Sequence, residues 1–173
     1  IYFSLSLVHK DEPDILRLPL KTGPSWYRGD LHSHTAHSDG SCSTFGGSDS
    51  IPCPVFLTAQ AAAARKLDFL AITDHNTLSH ASAIRELQPY FSKTLLMVGR
   101  EITTFFGHAN VFGTLEPIDF QLQRQSTMVS PWTAWLQKAS RAGGLVSLNH
   151  PVRPLGEMCM GCAWQPEIGR AHV

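Results

Sequence analysis

His32-Ser33-His34 sets two imidazoles two residues apart, and Asp39 follows five residues later beside Gly40. If residues 26–34 are extended, the side-chain period of two puts Asp30, His32 and His34 on one face. Two imidazoles converging there can chelate one divalent cation, and Asp39, in the loop that follows, can fold back to a neighbouring one. A multinuclear hydrolytic metal site needs this kind of floor. Alone, the pair is weak: with 9 His in 173 residues, chance supplies about half an HxH pair per chain.

Support comes from further along. His34, His75, Glu101 and His150 recur at the ends of short apolar runs, and His108 follows closely on Glu101. A glutamate has two oxygens and can bridge two cations, which selects Glu101 as the bridging ligand. The expected metal ligands are therefore His32, His34, Asp39, His75, Glu101, His108 and His150. Glu101, Asp39 and His108 are the candidate catalytic residues, and Asn110 and Arg100 the candidate substrate contacts. Mixed imidazole and carboxylate ligation suits Zn²⁺, Mn²⁺ or Fe²⁺ without choosing among them. Two such cations about 3.5–4 Å apart would bind a hydroxide between them, lower its pKa and polarise a phosphoryl or carbonyl oxygen.

Each residue also has a bland reading. Asp39 beside Gly40 is a turn pattern. Glu101 follows the apolar run Leu95–Val98, where an unpaired charge is costly to bury, so a cation there resolves a problem. Asp30 either supports a ligand histidine or packs at a strand entry, and Asp74 reads as structural. His37, His9 and His80 read as solvent-facing, and Trp132 and Trp135 as helix core. Cys159-x-x-Cys162 is half of a zinc site, but no second pair in the sequence closes the tetrahedron.

The elements that must position these groups follow from the patterning. Residues 2–9 alternate as a half-buried strand, 11–14 signal a turn, and 15–20 read as a partner strand. Thr22-Gly23-Pro24-Ser25 breaks the chain. Pro54 marks a helix start ahead of Phe56, Ala59, Ala63 and Leu67 at helical spacing. Residues 68–73 form an apolar strand ending at Asp74-His75-Asn76, and a helix over 79–88 is stopped by Pro89. Strands are expected over 95–104 and 107–113. Ser130-Pro131 opens a helix that Gly143-Gly144 closes, and 145–148 is a strand ending at Asn149-His150-Pro151. Ser38–Ser50 reads as a Ser/Gly-rich loop. Strands alternating with helices imply a largely parallel sheet, open or closed into a barrel, with ligands gathering at the carboxyl ends of its strands.

Composition narrows the class. The length suits about one domain, and 43% hydrophobic with 16% charged residues reads as a well-buried globular chain. Lys+Arg and Asp+Glu are both 14, which argues against nucleic-acid or membrane-surface partners. No apolar run reaches the ~20 residues of a membrane span. Four cysteines are too few for a disulfide scaffold and leave the compartment, cytoplasmic or exported, open. The chain begins at Ile1 in mid-pattern, so the natural amino terminus is expected upstream.

Four blocks carry a family resemblance: Asp30-Leu31-His32-Ser33-His34 with Ser38-Asp39-Gly40; Ile72-Thr73-Asp74-His75-Asn76; Gly99-Arg100-Glu101-Ile102 through Gly107-His108-Ala109-Asn110; and Asn149-His150-Pro151. In this order, over about residues 26–155, they resemble the PHP (polymerase and histidinol phosphatase) superfamily. Trp26–His32 and Glu101-Ile102-Thr103-Thr104 are similar to its carbaryl-hydrolase-like (CehA/McbA-like) branch. The resemblance implies a distorted (β/α)7 TIM-like barrel, here incomplete, over residues 23–166. It is preceded by the end of an upstream β segment over 1–22. Residues 167–173 resemble a translated sequencing adapter and are expected to be a non-native tail, with no role for His172.

The resemblance further implies two or three divalent metal ions, Zn, Mn or Fe. His32 and His34 would hold one with Glu101 bridging, Asp39 and His75 a second, and His108 and His150 with Glu101 a third. The activity implied is metal-dependent hydrolysis of a small phosphoester, or of a carbamate, ester or amide. The family's closing Asp-x-His is missing from the 173 residues, so the domain is expected to be truncated and the fragment to be weak or inactive. The alternative is a non-catalytic, metal-stabilised module of a larger protein.

Overall fold

The computed structural model describes residues 25–43, 47, 49–120, 129–154, 156, 159, 161 and 162. The expected strands over 2–9 and 15–20, the 167–173 tail, His9 and His172 lie outside the described residues. Elements run β1 (Gly29–Asp30), β2 (Ser41–Ser43), β3 (Ser50–Pro52), α1 (Val55–Ala64), β4 (Phe69–Ile72), α2 (Ala81–Leu87), a 3₁₀ turn (Gln88–Phe91), β5 (Leu95–Thr104), β6 (Gly107–Phe112), α3 (Val129–Arg141) and β7 (Leu145–Leu148).

The main sheet has the order β1-β4-β5-β6-β7. Its first half is parallel: β1 pairs with β4, and β4 with the leading residues of β5. Its second half is antiparallel, with β5 from Gly99 onward on β6, and β6 on β7. This overturns the expected (β/α)7 TIM-like barrel, because the sheet is mixed and only three α-helices occur among the described residues. The physical reason lies between β5 and β6. Two residues, Phe105 and Phe106, connect them, whereas a parallel crossover needs a dozen or more. A chain reversing that tightly must pair antiparallel, a consequence already contained in the two-residue gap between the expected strands 95–104 and 107–113, although no Gly, Asn or Pro marks the turn.

Several local expectations shift as well. Trp26–His34 is strand only at Gly29–Asp30. The 38–50 loop contains β2, which pairs antiparallel with β3 as a separate ribbon. Pro54 is the extended cap residue rather than the first helical one. The alanines of 59–64 favour helix strongly, and α1 ends in a Schellman turn. There Lys66 adopts φ +56°, and Lys66 and Leu67 donate back to Ala63 and Ala62. α3 ends the same way at Gly143 (φ +78°) and Gly144, which donate to Ser140 and Ala139.

One face of the sheet is covered by helices. Val55, Ala59 and Ala62 of α1 and Ile84 of α2 pack with Leu70, Ile72 and Leu96. Trp132, Trp135 and Ala139 of α3 pack with Ile102, Ala109 and Val111. Because strand side chains alternate, the residues between these, Glu101, Thr103, His108 and Asn110, must face the other way.

Candidate metal centre

Glu101 is completely buried, and five imidazoles surround its carboxylate. His32 Nε2, His34 Nε2 and His75 Nδ1 lie 3.2, 3.3 and 3.1 Å from Oε2. His108 Nδ1 and His150 Nε2 lie 3.3 and 3.4 Å from Oε1. Asn149 Nδ2 donates to Oε1 at 2.7 Å. Burial alone would raise the Glu101 pKa, but hydrogen bonding to His108, His32 and Asn149 outweighs it and holds the carboxyl well below its usual range. The charge is kept in a place where a carboxylate is otherwise expensive to ionise.

Backbone pairing delivers these groups. β7 is antiparallel to β6, which is antiparallel to β5, so β1, β4, β5 and β7 all run the same way. Their carboxyl ends therefore gather at one end of the sheet despite the mixed topology. His75 extends β4 through a bridge to Glu101. His32 and His34 leave β1 on a segment pinned to β4, where the Ser33 hydroxyl donates to the Ala71 carbonyl at 2.7 Å and Thr73 N–H to the Ser33 carbonyl at 2.8 Å. His150 follows β7 and takes φ +29°, a sparsely populated geometry for a non-glycine residue and one that clusters at functional sites.

The 35–40 loop is built on Asp74, which is fully buried. Thr35 donates to it through N–H and hydroxyl at 2.7 Å each, and the Ser38 hydroxyl at 2.7 Å. His80 Nδ1 sits 2.9 Å from its other side and Nε2 3.1 Å from the Gly99 carbonyl. The loop brings Asp39 to 3.7 Å from His34 Nδ1 and 3.5 Å from His75 Nε2. Asp39 is 69% exposed, so the site is open on its side and closed at Glu101.

Ligands held about 2.1 Å from a tetrahedral cation lie about 3.4 Å from one another. The separations of 3.1–3.7 Å found here match that spacing, as does the 3.1 Å between His32 Nε2 and His34 Nε2. His34 Nδ1 and His150 Nδ1 are buried without a hydrogen-bond partner among the described residues, which a cation would remedy. Burial lowers the pKa of His34 and His150, while the hydrogen bond to Glu101 raises that of His32. Three groups of donors among the described residues could each hold a metal ion: His34–Asp39–His75, His32–Glu101–His150, and His108–His150–Cys159–Cys162. His32 and His34 are within reach of one ion as well, with their Nε2 atoms 3.1 Å apart and 3.2 and 3.3 Å from Glu101 Oε2.

All seven expected ligands converge, but the two expected substrate contacts do not reach open space. Arg100 projects from the opposite face of β5 and donates to the Glu116 carbonyl at 2.7 Å. Asn110 is buried, donates to the Leu31 carbonyl at 2.9 Å and accepts from Asn149 at 2.8 Å; it positions the His32 segment. His80, expected at the surface, is buried completely. His37 is exposed, with Nδ1 2.6 Å from the Ser79 hydroxyl. Asn149 went unassigned in the sequence, and Asp74, read there as structural, holds the 35–40 loop together with His80. The adjacency of Asn149 to His150 and of Asp74 to His75 was their only signal.

The fold and donor set define a mixed α/β protein with a histidine–carboxylate centre able to hold metal. The chain matches no protein-family model, and no curated protein is significantly similar to it. No helix among the described residues is long and apolar enough to cross a membrane.

Proposed function

We propose that this chain is a metal-dependent hydrolase of the kind the PHP resemblance implies, acting on a small phosphoester or on a carbamate, ester or amide. The observation that carries this reading is the enclosure of one buried carboxylate, Glu101, by five imidazoles drawn from four separate segments. A structural site needs four ligands in a closed shell; this arrangement offers more, and it leaves one side open. Zn²⁺, Mn²⁺ or Fe²⁺, two or three per chain, would supply Lewis-acid polarisation and a water acidified toward neutral pH.

The protein's own part is positional. Glu101 keeps its negative charge at the floor and can face two donor groups with its two oxygens. Asn149 donates to one of these oxygens, which fixes the carboxylate plane. Asp39 stands at the exposed rim, where an incoming substrate would meet it and where it can accept a proton from an attacking water.

The test is hydrolysis of aryl phosphate monoesters and diesters and of aryl carbamates by the whole chain loaded with each metal. Weak turnover of one class is expected, reduced roughly 10²-fold or more in Glu101→Gln. Stoichiometric metal binding with no turnover of any of these would make the chain a metal-stabilised module instead.

A further inference from the structure

We propose that Cys159 and Cys162, in their reduced form, complete a Cys₂His₂ metal site with His108 and His150. In the sequence the Cys-x-x-Cys pair lacks partners. The fold supplies them, because one donor atom from each of the four side chains lies within 4.8 Å of the other three. That is the number and mixture of donors a tetrahedral Zn²⁺ takes, with two thiolates and two imidazoles in one shell.

The surroundings fit such a shell. Cys162 is fully buried and His108 nearly so, while Cys159 and His150 are half-buried, so the shell is walled on the Cys162 and His108 side. His150 Nδ1 is buried without a hydrogen-bond partner among the described residues, and the left-handed backbone at His150 is strain that a bound ion would justify. Gly156 and Cys159 exchange backbone hydrogen bonds. Gly161, at φ +79°, lies so close to the Thr104 carbonyl that any Cβ there would overlap it.

The two sulfurs are also in direct contact as a disulfide, and a Cα–Cα separation of 5.5 Å serves a disulfide and a Cys-x-x-Cys chelate alike. His108 and His150 also face Glu101 Oε1 at 3.3 and 3.4 Å, so the Cys₂His₂ shell and the Glu101 centre share these two imidazoles. With the pair reduced, each thiol releases its proton to solvent as its sulfur binds the ion. The donor set is then softer than the Glu101 groups, and it selects zinc over manganese. This proposal rests on the same histidines as the hydrolase reading but requires no hydrolysis, so the two can fail separately.

The experiment uses the whole chain, reduced with a phosphine and loaded with Co²⁺ or Zn²⁺. Co²⁺ is expected to give thiolate-to-cobalt charge-transfer absorption in the near ultraviolet. That absorption should vanish in C159S/C162S, with one fewer zinc per chain, and survive in His75→Gln. Should the double variant not fold, alkylation followed by peptide mass spectrometry of the wild type decides the matter. Zn²⁺ is expected to protect Cys159 and Cys162, a chelator to expose them, and Cys42 and Cys53 to label equally in both states. Absent charge transfer, or labelling of Cys159 and Cys162 that ignores zinc, overturns the proposal.

Discussion

Glu101 shows how one side chain acquires its role from its neighbours. A carboxylate with no exposure is costly unless several donors face it, and here five imidazoles and one amide do. Asn149 is the least conspicuous of them. It donates to Glu101 and to Asn110, which in turn holds the Leu31 carbonyl. Asn149→Ala leaves two buried acceptors short of a donor, so we expect a loss of about 1–3 kcal/mol in urea denaturation together with weaker metal binding by titration. Unchanged stability would show that water replaces the amide. The histidine and carboxylate set was readable from residue type and order, because few other roles suit so many imidazoles at successive strand ends. Arg100, Asn110 and His80 were not. Whether a polar side chain faces a site or a packed interior depends on which face of its element is covered, and local sequence does not encode that when both faces carry polar residues.

Among the elements, the 35–40 loop matters most, since it carries Asp39 and hangs on Asp74. Burial pushes the Asp74 carboxyl up, but hydrogen bonding to His80, Ser38 and Thr35 overcomes this and holds it well below the usual carboxylate range. A depressed folded-state value contributes stability above the unfolded-state pKa of about 4, and that contribution is lost as pH falls below it. Asp74→Asn should therefore be less stable than wild type by about 2–3 kcal/mol at pH 7, with the gap narrowing below about pH 4. A gap constant with pH would remove the charge from the explanation. Gly40 is the loop's second requirement, since a Cβ there would overlap the His34 carbonyl carbon and the Thr35 nitrogen. The helices α1 and α3 and the strands β4 to β7 were largely foreseeable from apolar periodicity and Gly or Pro punctuation. The β2–β3 ribbon was not, because its strands are three residues each and rich in serine.

For the whole molecule, metal and fold should be coupled, because the donors come from segments between residues 32 and 150. An ion that binds only the folded chain stabilises it by about 2.7 kcal/mol at a hundredfold excess over Kd. We expect thermal unfolding to shift upward by several degrees with added Zn²⁺, to return with a chelator, and to lose its metal dependence below about pH 6 as the imidazoles protonate. A midpoint indifferent to metal at pH 7 would mean that the centre is not occupied. The donor types of the centre were legible in sequence alone, since imidazole and carboxylate groups in that order and number have few other uses than holding a cation. Tertiary structure alone decided the architecture and the grouping of the donors. A two-residue connection between β5 and β6 turned an expected parallel barrel into a mixed sheet. Yet four strands still run the same way, so their carboxyl ends meet and bring His32, Glu101 and His150 to one point. Outside that tight connection, strand direction and pairing depend on long-range contacts, which no local pattern of residues records.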